Sequence, residues 1–299
     1  MASVTLAESA KLAQDQLIAG VIENVVTTNP IYEYMPFMEI EGNALTYNRE
    51  NALGDVQYLG VGGTITAKSA ATFSKITASL TTLIGDAEVN GLIQATRSNL
   101  TDQKAAQVGS KAKSLGRKYQ ETMVVGDGTS NTFEGLVTVC ASGQKIAVAG
   151  SYDLDDMDAL MDLVKDKDGQ VDYFMMPARS VRSYFTFLRA LGGASINEVI
   201  TLPSGRRLPA YRGVPIFTND WIPVNGGSGS DTTIFAGTFD DGSNKVGMSG
   251  LTAVGEAGMR VEEVGVKETA DESITRVKMY CGLALFSSLG LAALTGVTN

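Results

Sequence analysis

The sequence predicts an α+β fold. Three features predict it: a long proline-free run with helical spacing that ends near Met123, a middle stretch in which helical and strand-like segments alternate, and a closing stretch of strands separated by turns. The 299 residues, 44% of them hydrophobic, suffice to bury the core of one large domain or two smaller ones.

The chain opens on an amphipathic helix. From Leu6 to Val26 apolar residues recur at three and four positions: Leu6, Ala10, Ala13, Leu17, Val21, Val25. Pro30 and Pro36 then bracket Ile31, Tyr32 and Tyr34, with Phe37 directly after, in an extended arm, because proline interrupts a helix and biases the residue before it towards extended backbone. So much apolar surface on an arm needs a partner. Either the arm's own domain or a neighbouring subunit can supply it.

Residues 44–84 read as strand, glycine-rich turn and strand, a long two-stranded excursion. Thr, Ser, Ala, Gly and charged residues dominate, so neither face carries a continuous hydrophobic stripe, and an isolated hairpin of that kind is marginal in water. Lying across another subunit would order it, with Arg49, Glu50, Asp55, Lys68 and Lys75 available for charged contacts. The glycines around Val61–Gly63 lack the Gly-Lys-Ser/Thr ending of a phosphate-binding loop, and VVGDGTSN (124–131) lacks a lysine and reads as a turn cluster.

Between Ala87 and Met123 the spacing of Leu92, Ile93, Leu100, Val108, Leu115, Tyr119 and Met123 predicts one long helix, about 50 Å at about 1.5 Å per residue. Arg97, Lys104, Lys111, Lys113, Arg117 and Lys118 lie between those positions, so one stripe is buried and the basic residues form a solvated face. The middle then reads as helix (YDLDDMDALMDLVKD), buried strand (VDYFMMP) and helix (ARSVRSYFTFLRALG), followed by two short strands around a turn in LPAYRGVPIFTNDWIP, where the lone Trp221 fills core. Asp153, Asp155, Asp156 and Asp158 lack the glycine and closing glutamate of a calcium loop; they suit a helix N-terminus. At the end, Val261 alternates against Arg260 and Glu262, and Val277 against Arg276 and Lys278, which predicts an antiparallel hairpin.

Composition narrows function. Histidine is absent, which removes the usual general acid and base near neutral pH and the commonest nitrogen ligand of zinc. No pairing of nucleophile and base stands out among the remaining residues, so an enzyme working through Lys, Asp or Tyr is a remote alternative, and neither cofactor nor metal is implied. Cys140 and Cys281 lie far apart among apolar neighbours and read as buried free thiols. The net charge of -9 opposes a surface that grips nucleic acid, though it suits a container whose polyanionic contents must leave. Tyr280 to Val297 carries no charge but contains several Gly, Ser and Thr and follows a strand-like segment, so a buried strand leading into a short terminal element is expected instead of a membrane span.

The order of these elements resembles the major capsid proteins of tailed double-stranded DNA bacteriophages, the Hong Kong 97-type capsid fold, over nearly the whole chain. LPAYRGVPIFTNDWIP is similar to the axial-domain segment of such proteins, and RVKMYCGLALFSSLGLAAL to their final peripheral strand. The resemblance implies an N-terminal arm (1–43), an extended loop (44–84), a peripheral domain with a spine helix (85–139), an α/β axial domain (140–250) and a peripheral β-hairpin with the C-terminus (251–299). It also implies a virion protein that self-assembles into the hexamers and pentamers of an icosahedral shell, is assembled in the host cytoplasm, and encloses double-stranded DNA without binding it tightly. Tyr32, Tyr34, Phe37, Arg49, Glu50, Asp55, Lys68 and Lys75 are then the inter-subunit contact candidates. The arm starts almost at Met1, without the scaffolding segment fused to some relatives, so a separate scaffolding protein is expected alongside a portal and a decoration protein. Some relatives crosslink subunits through a loop lysine, for which Lys68 and Lys75 are candidates by region; an uncrosslinked shell is the default. An encapsulin-type compartment shell is the alternative.

Overall fold

A computed structural model describes residues 31, 34–97, 103–165, 170–190, 199–203, 205–224, 231–243, 245–256 and 258–298. The amphipathic helix expected before residue 30 lies outside them, as does Tyr32. Among the described residues three sheets form.

The first sheet has five strands: β1 (Phe37–Ile40), β11 (Met248–Ala253), β13 (Glu272–Leu285) and β12 (Arg260–Val266) in that order, with β4 (Thr81–Asn90) on the other side of β13. β12 and β13 form the expected antiparallel hairpin, Val261 opposite Val277. The second sheet has seven strands, β5 (Lys145–Gly150), β14 (Leu291–Val297), β10 (Thr232–Gly237), β6 (Tyr173–Met176), β9 (Val214–Thr218), β8 (Arg207–Tyr211) and β7 (Val199–Thr201). The third is the two-stranded excursion, β2 (Ala44–Ala52) antiparallel to β3 (Thr72–Ser79).

The seven-stranded sheet is buried on both faces, which is why β6 reads as an unbroken apolar run. Phe174 and Met176 on one face, with Ile216, Ile234 and Leu294, pack under two helices, Leu154–Lys165 and Ala178–Ala190. Tyr173, Met175, Phe217, Phe235 and Leu291 on the other face join a core that also holds Leu115, Tyr119, Val277, Met279 and Leu283 of the five-stranded sheet and its helix. One hydrophobic core therefore spans both sheets. Asp153 and Asp156 begin the first of those helices as a reciprocal cap, each carboxylate accepting the other's backbone amide at 2.9 and 3.0 Å. Arg212 and Gly213, both at positive φ, make the two-residue turn that joins β8 to β9.

Three expectations need correction. The single helix over 87–123 is two helices preceded by strand: β4 runs through Asn90, and helices follow at Gly91–Arg97 (α1) and Gln103–Val125 (α2). Ala87 and Val89 sit in ladder register with Thr275 and Ser273, and the Asn90 side chain accepts the Leu92 amide to start α1, leaving Leu92 64% exposed. The 23 residues of α2 reach about 35 Å at about 1.5 Å per residue. Second, the uncharged end divides between sheets: β13 stays in the five-stranded sheet, whereas β14 inserts between β5 and β10 of the seven-stranded one. Residues 291–297 thus lie with the segment assigned to 140–250, apart from the hairpin. Third, Trp221 lies at the margin of the core, partly buried, with the Arg117 guanidinium 5.2 Å from its ring.

Cys140 and Cys281 are buried and unbridged, and burial pushes both thiols up to about 11. No helix among the described residues is long and apolar enough to cross a membrane.

Candidate assembly surface

The excursion has a fixed root. Leu45, Tyr47 and Ala78 pack against a small cluster of Ile40, Leu251, Ala284 and Phe286, and the Tyr47 and Phe286 rings lie 5.3 Å apart. Tyr47 Oη donates to Leu285 O at 2.6 Å. Arg49 donates through Nη2 to the same oxygen at 2.5 Å and through Nε to Phe286 O at 2.9 Å. These carbonyls lie where β13 ends. Met248, opposite Leu285 in the ladder, donates its amide to Thr238 O instead, which leaves Leu285 O to the excursion's side chains. Burial pushes the Tyr47 phenol up from its ordinary value, which favours the protonated, donating form. A cavity of about 220 Å³ sits behind the latch, lined by Arg49, Ile76, Phe133, Glu134 and Leu283 among others. Arg49 is thus committed within its own chain.

Beyond Ala52 the ladder stops, at a register shift between Glu50 and Ala52. Residues 53–71 have no strand partner among the described residues, and the tip turns at Gly60–Gly63, where Gly63 donates to Gly60 O and Gly62 takes φ +83°, as a type II turn requires at its third position. Val56, Tyr58 and Val61 are 95%, 107% and 112% exposed, with Leu53, Ile65 and Phe73 more than half exposed. Glu50, Asp55, Lys68 and Lys75 are all exposed, and none forms an ion pair with another described residue. The sequence reading found the charges and passed over this apolar set, because its members are spaced irregularly and form no periodic stripe. A count of apolar residues inside a segment without core-facing alternation would have found them.

The arm, where described, packs on its own chain. Ile31 and Met35 are buried, Tyr34 meets Phe217 edge-on at 5.8 Å, and Phe37 lies 6.3 Å from the Tyr119 ring. Phe37 also covers Gly250, where an added Cβ would meet its ring at 2.5 Å. Tyr34 and Phe37 keep 37% and 42% of their surface open, so each has one face inward and one face free.

The β12 edge adds a face the sequence did not mark. Val261, Val264 and Val266 are each more than half exposed on an unpaired edge, beside ion pairs from Lys104 to Glu263, Arg260 to Glu256 and Lys278 to Glu262. The alternation at Val261 led to a half-buried strand, but among the described residues β12 has a strand neighbour on one side only. Among the described residues no group of His, Cys, Asp and Glu is placed to hold a metal; Asp158 instead accepts from Tyr211 Oη and Arg212.

A model of the phage capsid family matches residues 10–279. No curated protein matches the chain by sequence. Solved structures with the same fold include the holo-SrpI encapsulin complex from Synechococcus elongatus PCC 7942, at TM-score 0.75 and 18% identity over 99% of this chain and 97% of that one. The capsid of the native GTA particle matches at TM-score 0.67 and 14% identity over 99% of both chains. The capsid of Myoviridae phage XM1 matches at TM-score 0.64 and 12% identity, over 99% of this chain and all of that one.

Proposed function

The chain belongs to the phage capsid family and is a major capsid protein with a structural role, and on that premise we propose how it builds its shell. Subunits join as hexamers and pentamers, with the excursion of each lying over the next and the seven-stranded sheet with its helices facing the ring centre. The observation that carries this reading is the tip itself. Tyr58, Val56 and Val61 stand fully open on a projection outside the buried clusters, and a second chain that covers them removes that apolar surface from water. Each fully covered side chain of this size contributes about 1.5–3 kcal/mol, and the contacts repeat around the ring. The shell encloses double-stranded DNA, and the net charge of -9 on each subunit keeps the contents loosely held. Assembly in the host cytoplasm is guided by a separate scaffolding protein, and a portal and a decoration protein complete the particle.

The test is removal of the tip. A deletion over residues 48–78 would also cut away Arg49, and with it the latch. Joining Ala52 to Thr72, which pair in the ladder, through a two-residue turn removes residues 53–71 and keeps the root. The expected product is a soluble, folded subunit that forms no closed shells by electron microscopy; normal shells from it would refute the reading.

The encapsulin match, at TM-score 0.75, supports a second reading in which the shell holds protein cargo. Particles purified from the native host decide between them: packaged DNA supports the first, and a protein cargo without DNA the second.

A further inference from the structure

The tip is held together chiefly by one side chain, that of Gln57; Ser69 Oγ adds one longer bond, accepting from the Asp55 amide at 3.3 Å. Across residues 53–71 two backbone hydrogen bonds close the loop, Gly63 to Gly60 O at 3.0 Å and Asp55 to Ser69 O at 3.3 Å. Gln57 makes four more. Its Oε1 accepts from Thr66 N at 3.0 Å, Thr66 Oγ1 at 2.6 Å and Ala67 N at 2.8 Å, and its Nε2 donates to Thr64 O at 3.0 Å. The amide thereby replaces the missing ladder, meeting the polar groups of the returning segment with the oxygen on the donors and the nitrogen on the acceptor. Leu59 folds over Gly63, where an added Cβ would meet its Cδ1 at 3.1 Å, so the turn closes on its own apolar residue. Tyr58 and Val61 project from this clasped loop.

We propose that Gln57 is a positioning residue for assembly, which closes the tip before it meets a second copy of this chain. This rests on the reading that the tip docks on a neighbouring subunit. The physical argument is preorganisation. Fixing one residue's backbone costs about 1–2 kcal/mol, and a tip of open coil would incur that cost for several residues at every docking event. With the clasp in place the subunit has already incurred it on folding. Because Gln57 lies at an exposed projection and touches none of the buried clusters, its removal changes assembly and leaves the fold's stability alone.

The test compares the full chain with Gln57→Leu, which keeps bulk and loses both polar atoms, and Gln57→Glu, which keeps acceptor oxygens for Thr66 and Ala67. Hydrogen exchange is read at the Thr66 and Ala67 amides of dissociated subunits, stability by urea unfolding, and assembly as the threshold concentration for shells. The expected result for Gln57→Leu is fast exchange at both amides, an unchanged unfolding midpoint, and a threshold raised about tenfold or more, equivalent to about 1.4 kcal/mol. Gln57→Glu should recover most of the protection and the threshold, and Thr66→Val should fall between. Fast exchange with an unchanged threshold overturns the proposal, as does unchanged exchange or a lowered unfolding midpoint. Each of these leaves the docking reading standing, whereas shells from the 53–71 deletion would remove that reading itself.

Discussion

Replacing Arg49 by Met tests whether the excursion is fixed to the body at its root. The guanidinium supplies two charged hydrogen bonds, 2.5 Å to Leu285 O and 2.9 Å to Phe286 O. Bonds to charged groups contribute about 1.5–3 kcal/mol each, but Arg49 is partly exposed and Leu285 O keeps Tyr47 as a donor. Only Phe286 O loses its side-chain donor, so the expected loss is about 2 kcal/mol. Tyr47→Phe alone should cost less, about 0.5–1 kcal/mol, because Arg49 still serves Leu285 O. The double variant strips both donors from one oxygen, and the cost should exceed the sum of the singles by about 1 kcal/mol. Urea unfolding of dissociated subunits measures all three. Singles and double that add to within about 0.3 kcal/mol would show that the two side chains do not share the carbonyl, and would refute the latch.

Lys267 stands between Glu88 at 3.5 Å and Glu272 at 3.2 Å, whose side chains are 6% and 14% exposed. Lys267→Met removes the cation shared by two shielded carboxylates and should lower the urea midpoint near neutral pH, by less than breaking a fully buried pair because the lysine is partly open. Adding Glu88→Gln should restore most of it; a single variant as stable as the parent would sink the argument. Asp86 accepts two bonds from Arg276, Nε to Oδ1 at 2.8 Å and Nη2 to Oδ2 at 2.9 Å, and this bonding, with the charges of Arg276 and Lys111, holds its carboxyl below the ordinary value of 3.8. A depressed carboxylate contributes stability above the unfolded pKa and loses it as pH falls through the folded one. The stability gap between the parent and Asp86→Asn should therefore be constant from neutral pH down to about 5 and narrow as the pH falls below the unfolded value of about 4; a gap that does not narrow in acid would contradict the ion pair.

What the sequence determined by itself is whatever depends on local pattern. The alternation around Val261 and Val277 specified the hairpin, the carboxylates at Asp153 and Asp156 marked a helix start, and the apolar run at Tyr173–Met176 announced a strand buried on both faces. The absence of histidine and the thin composition of residues 44–84 already indicated a structural, assembling chain. The tertiary structure decided matters in which the local signal is the same for two outcomes. Ala87 to Asn90 fits either helix or strand over so short a span, and the open edge of β13 chose strand. Residues 291–297 could have extended either sheet; the gap between β5 and β10 took them. Arg49 looks like any surface charge until the end of β13 places two carbonyls within its reach, and Gln57 looks like any loop amide until the turn at Gly62 brings Thr66 back to it. Local periodicity depends on neighbours three or four residues apart, whereas these contacts join groups from 9 to 237 residues apart, which no short window contains.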